Sequence, residues 1–161
     1  MKSLHTKLSK NLTLIELVKS PTATRHGIPN MPNDEQYENL VYLAKGIFQP
    51  VRDHFGCPIF ISSGFRSEKL NKKIGGAKYS HHRLGCAIDM DQDGKGTGIS
   101  NADVFHFIKN NLDYTQLIWE FGTDENPAWV HASLVKGQEK KKQILKAIRV
   151  NGKTKYINWE E

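Results

Sequence analysis

The sequence predicts an α+β fold, a central and mostly antiparallel sheet flanked by helices, closed by a C-terminal β-hairpin. Three observations lead there. Short apolar runs of strand length and segments of helical period occur in groups rather than in strict alternation. The stretch over about 143–159 alternates around Asn151-Gly152, the pair that suits a type I′ hairpin turn. The chain has 161 residues, 38% apolar and 25% charged, with no repeat, linker or low-complexity block, so one domain over 1–161 is expected.

Taken in order, Thr13 to Val18 reads as a helical turn or two. Pro21, Pro29 and Pro32 then predict an extended loop over the surface. Asn33 or Asp34 caps a strong helix whose buried face is Leu40, Leu43, Ala44, Ile47 and Val51, with Pro50 kinking it near its end. Cys57 to Ser62, short and apolar between Gly56 and Gly64, suits a core strand. A helix from Ser67 to Lys73 is closed by Gly75-Gly76. Cys86 to Met90 is a second strand, and Ser100 or Asn101 caps a helix to about Asn110 that buries Val104, Phe105 and Ile108. Gln116 to Phe121 and Ala128 to Leu134 complete the sheet before the hairpin.

The formal net charge is +6, but it is localised: between Lys136 and Lys155 eight basic residues face Glu139 alone. Such a patch engages anionic polymers by steering and counterion release, or serves as a solvated edge that resists aggregation. No nucleic-acid motif accompanies it, so among nucleic acid, anionic lipid and anionic wall polymer, nucleic acid ranks low as a partner. Cys57 and Cys86 offer neither a disulfide framework nor a CxxC spacing, and buried free thiols are expected. The run Leu12 to Val18 is short and carries Glu16, so it is neither a membrane span nor a signal-peptide core. A product made in the cytoplasm is expected.

Chemistry concentrates in Ser80-His81-His82-Arg83-Leu84-Gly85-Cys86-Ala87-Ile88-Asp89. A turn at Gly85 folds His82 back beside Asp89, giving one nitrogen and one oxygen ligand. A third ligand must come from elsewhere, and His131 in Trp129-Val130-His131-Ala132-Ser133 supplies it, with strand alternation setting Trp129, His131 and Ser133 on one face. Two His and one Asp leave a tetrahedral zinc an open position, the arrangement of a catalytic site. Asp89 to Gly94 also copies the first half of an EF-hand loop, but its twelfth position is Ser100 where a bidentate Glu is required, so calcium is set aside.

Ser80, His82, Gly85, Ala87 and Asp89 reproduce an SxHxxGxAxD pattern, with His131 downstream and Ser63-Gly64-Phe65-Arg66-Ser67 upstream. In these motifs the chain resembles the zinc D-Ala-D-Ala carboxypeptidase and hedgehog-like metallopeptidase family, in its phage and bacterial branch, over about residues 11 to 135. The resemblance implies a peptidase acting on peptidoglycan stems, in which His82, Asp89 and His131 hold Zn²⁺ and the ion activates water and polarises the scissile carbonyl. Many relatives carry a general base two or three residues before the last His, where this chain has Trp129 and Ala128. Glu120, in Trp119-Glu120-Phe121-Gly122, is the candidate base, with Asp124 and Glu125 as alternatives. Arg66 is the candidate for stabilising an oxyanion or binding a substrate carboxylate, against a surface ion pair with an acid such as Glu68.

Ser80 either donates to Asp89 or caps the turn, His81 faces either the cleft rim or solvent, and Trp119 and Trp129 either line the groove or, as strand aromatics more often do, join the core. The expected activity is carboxypeptidase or endopeptidase, endolysin-like, reaching the wall after release from the cell. A catalytically silent zinc-binding recognition or structural module, as in hedgehog domains, is the alternative.

Overall fold

The computed structural model describes residues 2–161. A two-stranded sheet opens the chain, β1 (Lys7–Ser9) against β2 (Leu12–Thr13), and the short helix α1 (Leu14–Val18) follows directly. These two strands lie outside the sequence reading, because two- and three-residue strands leave no periodicity to detect. α2 (Pro21–His26) corrects the expected extended loop. Pro21 is its first residue, where the missing N–H has no helical partner to lose, and Ser20 caps it by accepting from Ala23 N.

α3 (Asp34–Leu43) begins with a reciprocal cap: Asn33 accepts from Gln36 N at 2.8 Å and Gln36 accepts from Asn33 N at 2.9 Å. The helix does not simply kink at Pro50. A π-helical stretch, Ala44–Phe48, precedes α4 (Gln49–Phe55). Proline lacks a donor and crowds the carbonyl four residues back, so the preceding turn widens. The strand expected at Cys57 to Ser62 is shorter and displaced: β3 is Ile61–Ser63, because Pro58 has no N–H for a ladder and Phe60 N donates instead to the Gln92 side chain at 2.7 Å. α5 (Glu68–Lys73), β4 (Ala87–Met90), α6 (Asn101–Asn111), β5 (Gln116–Glu120), β6 (Trp129–Ser133), β7 (Gln143–Val150) and β8 (Lys153–Asn158) follow. At the last turn Asn151 and Gly152 have φ of 51° and 74°, as a type I′ hairpin requires.

The main sheet has the order β3-β4-β6-β5-β7-β8. Every pair is antiparallel except β5 with β7, since the chain leaves β6, skips β5 and returns on its far side. Residues paired across strands share a face, and successive residues alternate. Ile88, Met90, Leu117, Trp119, Val130 and Ala132 therefore project together, and they pack with Leu40, Leu43, Ile47, Val51, Phe105 and Ile108 of the helices in the main core. The other parity of the same strands carries Asp89, Ile118, Glu120, Trp129, His131 and Ser133. Trp119 thus belongs to the core, edge-on to Phe105 at 5.1 Å, and not to a groove wall. Among the described residues no helix is long and apolar enough to cross a membrane.

Candidate metal centre

His82 reaches the site from a single 3₁₀ turn, His81–Leu84, placed between two fixed points. Ser80 caps the turn, accepting from His82 N at 3.3 Å, so of its two expected roles it fills the cap; among the described residues no hydrogen bond joins it to Asp89. Gly85 ends the turn with φ 73°, and a Cβ there would stand 2.5 Å from the Gln36 carbonyl oxygen, so only glycine lets the chain reverse against α3. The His82 Nδ1–H donates to the Gly64 carbonyl at 2.7 Å, which fixes the ring and its tautomer. Gly64 itself admits no side chain: a Cβ would lie 2.4 Å from the Leu17 carbonyl oxygen, because Phe65 N donates to that oxygen at 2.7 Å.

Asp89 and His131 are paired across β4 and β6, and Ile118 is paired with His131 across β5. His131 Nδ1 lies 2.9 Å from Asp89 Oδ1 and His82 Nε2 lies 3.2 Å from the same oxygen. All three residues are buried, and their ligand atoms lie within 4.8 Å of one another. With Nδ1–H committed to Gly64, His82 presents a lone pair to a carboxylate oxygen that also only accepts. A cation between them resolves that conflict. Ligands placed about 2.0–2.1 Å from a tetrahedral zinc stand a little over 3 Å apart, close to the spacing seen here. Burial pushes the Asp89 carboxyl up, but in the metal-free site the His82 and His131 rings, when protonated, outweigh it and hold the group far below the usual carboxylate range. His131 Nε2 is buried without a hydrogen-bond partner.

Arg66 approaches from the segment that follows β3. Its Nε donates to Ser63 Oγ at 3.0 Å and its Nη2 stands 3.4 Å from Asp89 Oδ2, so the ion pair it makes is with the metal-site carboxylate and not with Glu68. Glu68 pairs instead with Lys72 at 3.3 Å. Asn30 fixes this segment, donating to the Val18 and Phe65 carbonyls and accepting from Ser67 N at 2.7 Å. Asn30 carries no sequence signal beyond its neighbouring proline, and although Ser63 opens the Ser63-Gly64-Phe65-Arg66-Ser67 motif, the sequence does not indicate its contact with Arg66.

Glu120 ends β5 opposite Trp129, on the face that carries Asp89 and His131, and only 6% of it is exposed. Burial raises its carboxyl to about 7; Asp89 adds to the rise, and His131 and Arg66 oppose it. Asp124 and Glu125 are exposed in the following loop, and Asp124 is tied to Lys146. His81 Nδ1 is 2.9 Å from Ser133 Oγ, a partner that the sequence reading left without a role, and burial lowers the imidazole's pKa with help from His131. Trp129 is half-buried beside Phe121, ring centres 5.4 Å apart. Cys86 is buried, its thiol pushed up to about 11 by that burial, which leaves it protonated and unreactive; Cys57 is only half-buried.

No curated protein matches the chain. The family model described as Peptidase M15 matches residues 10–133. That span takes in Arg66, His82, Asp89, Glu120 and His131 and stops short of the hairpin, and on this match the chain belongs to the Peptidase M15 family, whose members are zinc-dependent peptidases.

Proposed function

We propose that the chain hydrolyses peptide bonds in peptidoglycan stems or cross-bridges, as an endolysin-like carboxypeptidase or endopeptidase that works on the wall after release from the cell. The observation that carries this reading is the convergence of His82 Nε2, His131 Nδ1 and Asp89 Oδ1 on one sheet face that also bears the buried carboxylate of Glu120. When bound, zinc supplies Lewis acidity to a water and to the scissile carbonyl.

The protein's own residues do the rest. Glu120, a buried carboxylate on the face that carries Asp89 and His131, is poised to accept a proton from water as its oxygen joins the carbonyl carbon. The carboxyl then returns that proton to the amide nitrogen, the C–N bond breaks, and one water is consumed per bond cut. Arg66 has N–H groups beyond those on Ser63 and Asp89, and these donate to the carbonyl oxygen as it gains charge. His82, held on the Gly64 carbonyl through Nδ1, and His131, fixed by the pairing of β6 between β4 and β5, keep the site rigid. The exposed lysines around the start of β7 concentrate the enzyme on anionic wall polymers.

The test is digestion of purified peptidoglycan by the zinc-loaded protein and its Glu120→Gln variant, with fragments read by mass spectrometry. A defined new terminus that vanishes in the variant supports both the reaction and the base. Equal activity moves the base to Asp124 or Glu125, and no product across several wall types leaves a silent zinc-binding module.

A further inference from the structure

The family match ends at residue 133, yet the sheet continues past the site for two more strands. β7 pairs Glu120 with Ala147, and β8 pairs Ala147 with Tyr156. Glu120, Ala147 and Tyr156 therefore stand in one row across the face that bears the metal ligands. At the usual strand spacing of about 4.8 Å, two steps separate the Glu120 and Tyr156 backbones by about 10 Å. The residue between them is a fully buried alanine, so no side chain rises to part the two. The row ends open at Tyr156, which is 53% exposed, and among the described residues its hydroxyl has no hydrogen-bond partner.

Arg149, two residues past Ala147 and so on the same face, lies over the Phe121 ring, 4.8 Å from its centre, and Phe121 leans on Trp129. A cation and two aromatic rings thus bound the face beyond Glu120, leaving the lane over Ala147 as the path across β5, β7 and β8. Burial raises the Tyr156 phenol, and the negative charges of Glu120 and Asp89 raise it further, so the group stays a donor and overlooks the same space as those carboxylates.

We propose that the C-terminal hairpin forms the far wall of the substrate cleft and that Tyr156 is a substrate-binding residue, its hydroxyl donating to a carbonyl oxygen of the peptide lying over Ala147. This rests on the peptidase reading above. It is tested with a synthetic stem pentapeptide ending in D-Ala-D-Ala. Binding is measured by calorimetry to the zinc-loaded Glu120→Gln protein with and without Tyr156→Phe, and steady-state kinetics are measured on the otherwise native enzyme and its Tyr156→Phe and Tyr156→Ala variants.

Loss of one hydrogen bond to the peptide raises Kd and KM about three- to tenfold in Tyr156→Phe and more in Tyr156→Ala, with kcat within about twofold. Zinc content and circular dichroism stay unchanged, since the side chain is exposed. If the native enzyme turns over and Tyr156→Phe keeps the native Kd and KM, the role of the hydroxyl is overturned while the peptidase reading stands. If the native enzyme cleaves neither this peptide nor purified peptidoglycan and the Glu120→Gln protein binds neither, both are overturned together.

Discussion

Arg66 meets Asp89 on the side that the imidazoles leave free: its Nη2 is 3.4 Å from Oδ2, while His82 and His131 both lean on Oδ1. The carboxylate is thereby divided, one oxygen facing the two imidazoles and one the guanidinium, and a buried negative charge gains a fixed counter-charge. Groups that orient a metal ligand in this way are worth about 10–100-fold in metal affinity or activity. Arg66→Ala is expected to weaken zinc binding by about that factor in chelator competition, and Arg66→Lys to recover only part of it, since an ammonium cannot hold Ser63 and Asp89 as a planar fork does. Native zinc affinity in Arg66→Ala with reduced turnover would restrict Arg66 to a substrate contact.

Glu120 predicts an unusual pH dependence for the metal-free protein. Its folded pKa, about 7, lies above the ordinary 4.5, so between those values the unfolded chain ionises while the native state keeps its proton. Stability contributed by this group is full below about pH 4.5 and is lost as pH rises through 7, by about 3 kcal/mol for a shift of this size. Asp89, held far below its usual range, stays ionised throughout that window and does not blur it. In excess chelator, Glu120→Gln should match the native protein near pH 5 and be more stable than it near pH 8, as read from urea midpoints. A constant difference across that range would count against a buried, proton-holding Glu120.

The buried cluster of His82, Asp89 and His131 was legible because its residues sit on local patterns. His82, Gly85 and Asp89 belong to one turn-to-strand unit, and the alternation of β6 put His131 and Trp129 on one face. Asn151-Gly152 carried the hairpin for the same reason, as both residues must adopt positive φ. Pro21 was misread because a proline that opens a helix and a proline that extends a loop look alike until the cap at Ser20 is seen. The Arg66 contact with Asp89, the Gly64 carbonyl on His82 and the row from Glu120 to Tyr156 were illegible because each depends on register between strands distant in the chain. Pattern reports which face a residue occupies; only pairing reports what stands beside it.

Gly64 couples fold to site, and Gly64→Ala tests that coupling. The added methyl would meet the Leu17 backbone at 2.4 Å, where no side-chain rotation relieves it, so β3 and α1 must part. The expected destabilisation is about 1–3 kcal/mol, measured by chemical denaturation. Moving β3 also shifts the carbonyl that holds His82 Nδ1, so zinc affinity should fall as well. A variant with native zinc affinity and lowered stability would show that His82 does not depend on that hydrogen bond.

The basic segment divides into lysines already engaged and lysines free to act. Lys142 lies 3.6 Å from Asp113, Lys146 is tied to Asp124, and Lys136 stands over the Tyr42 ring. Lys140 and Lys141 are exposed, and among the described residues neither forms an ion pair. Reversing only these two, Lys140→Glu with Lys141→Glu, removes charge from the patch without unpairing Asp113 or Asp124. Binding to purified walls in a pull-down should weaken about tenfold at roughly 50 mM salt, and the gap should close as salt rises toward about 0.5 M and screening shortens the reach of the charges. Turnover of a soluble stem peptide, measured on the same preparation, separates weaker wall capture from damage to the site. Unchanged wall binding at low salt would remove the patch as a wall-binding surface and leave it a solvated edge that keeps β8 from pairing with another sheet.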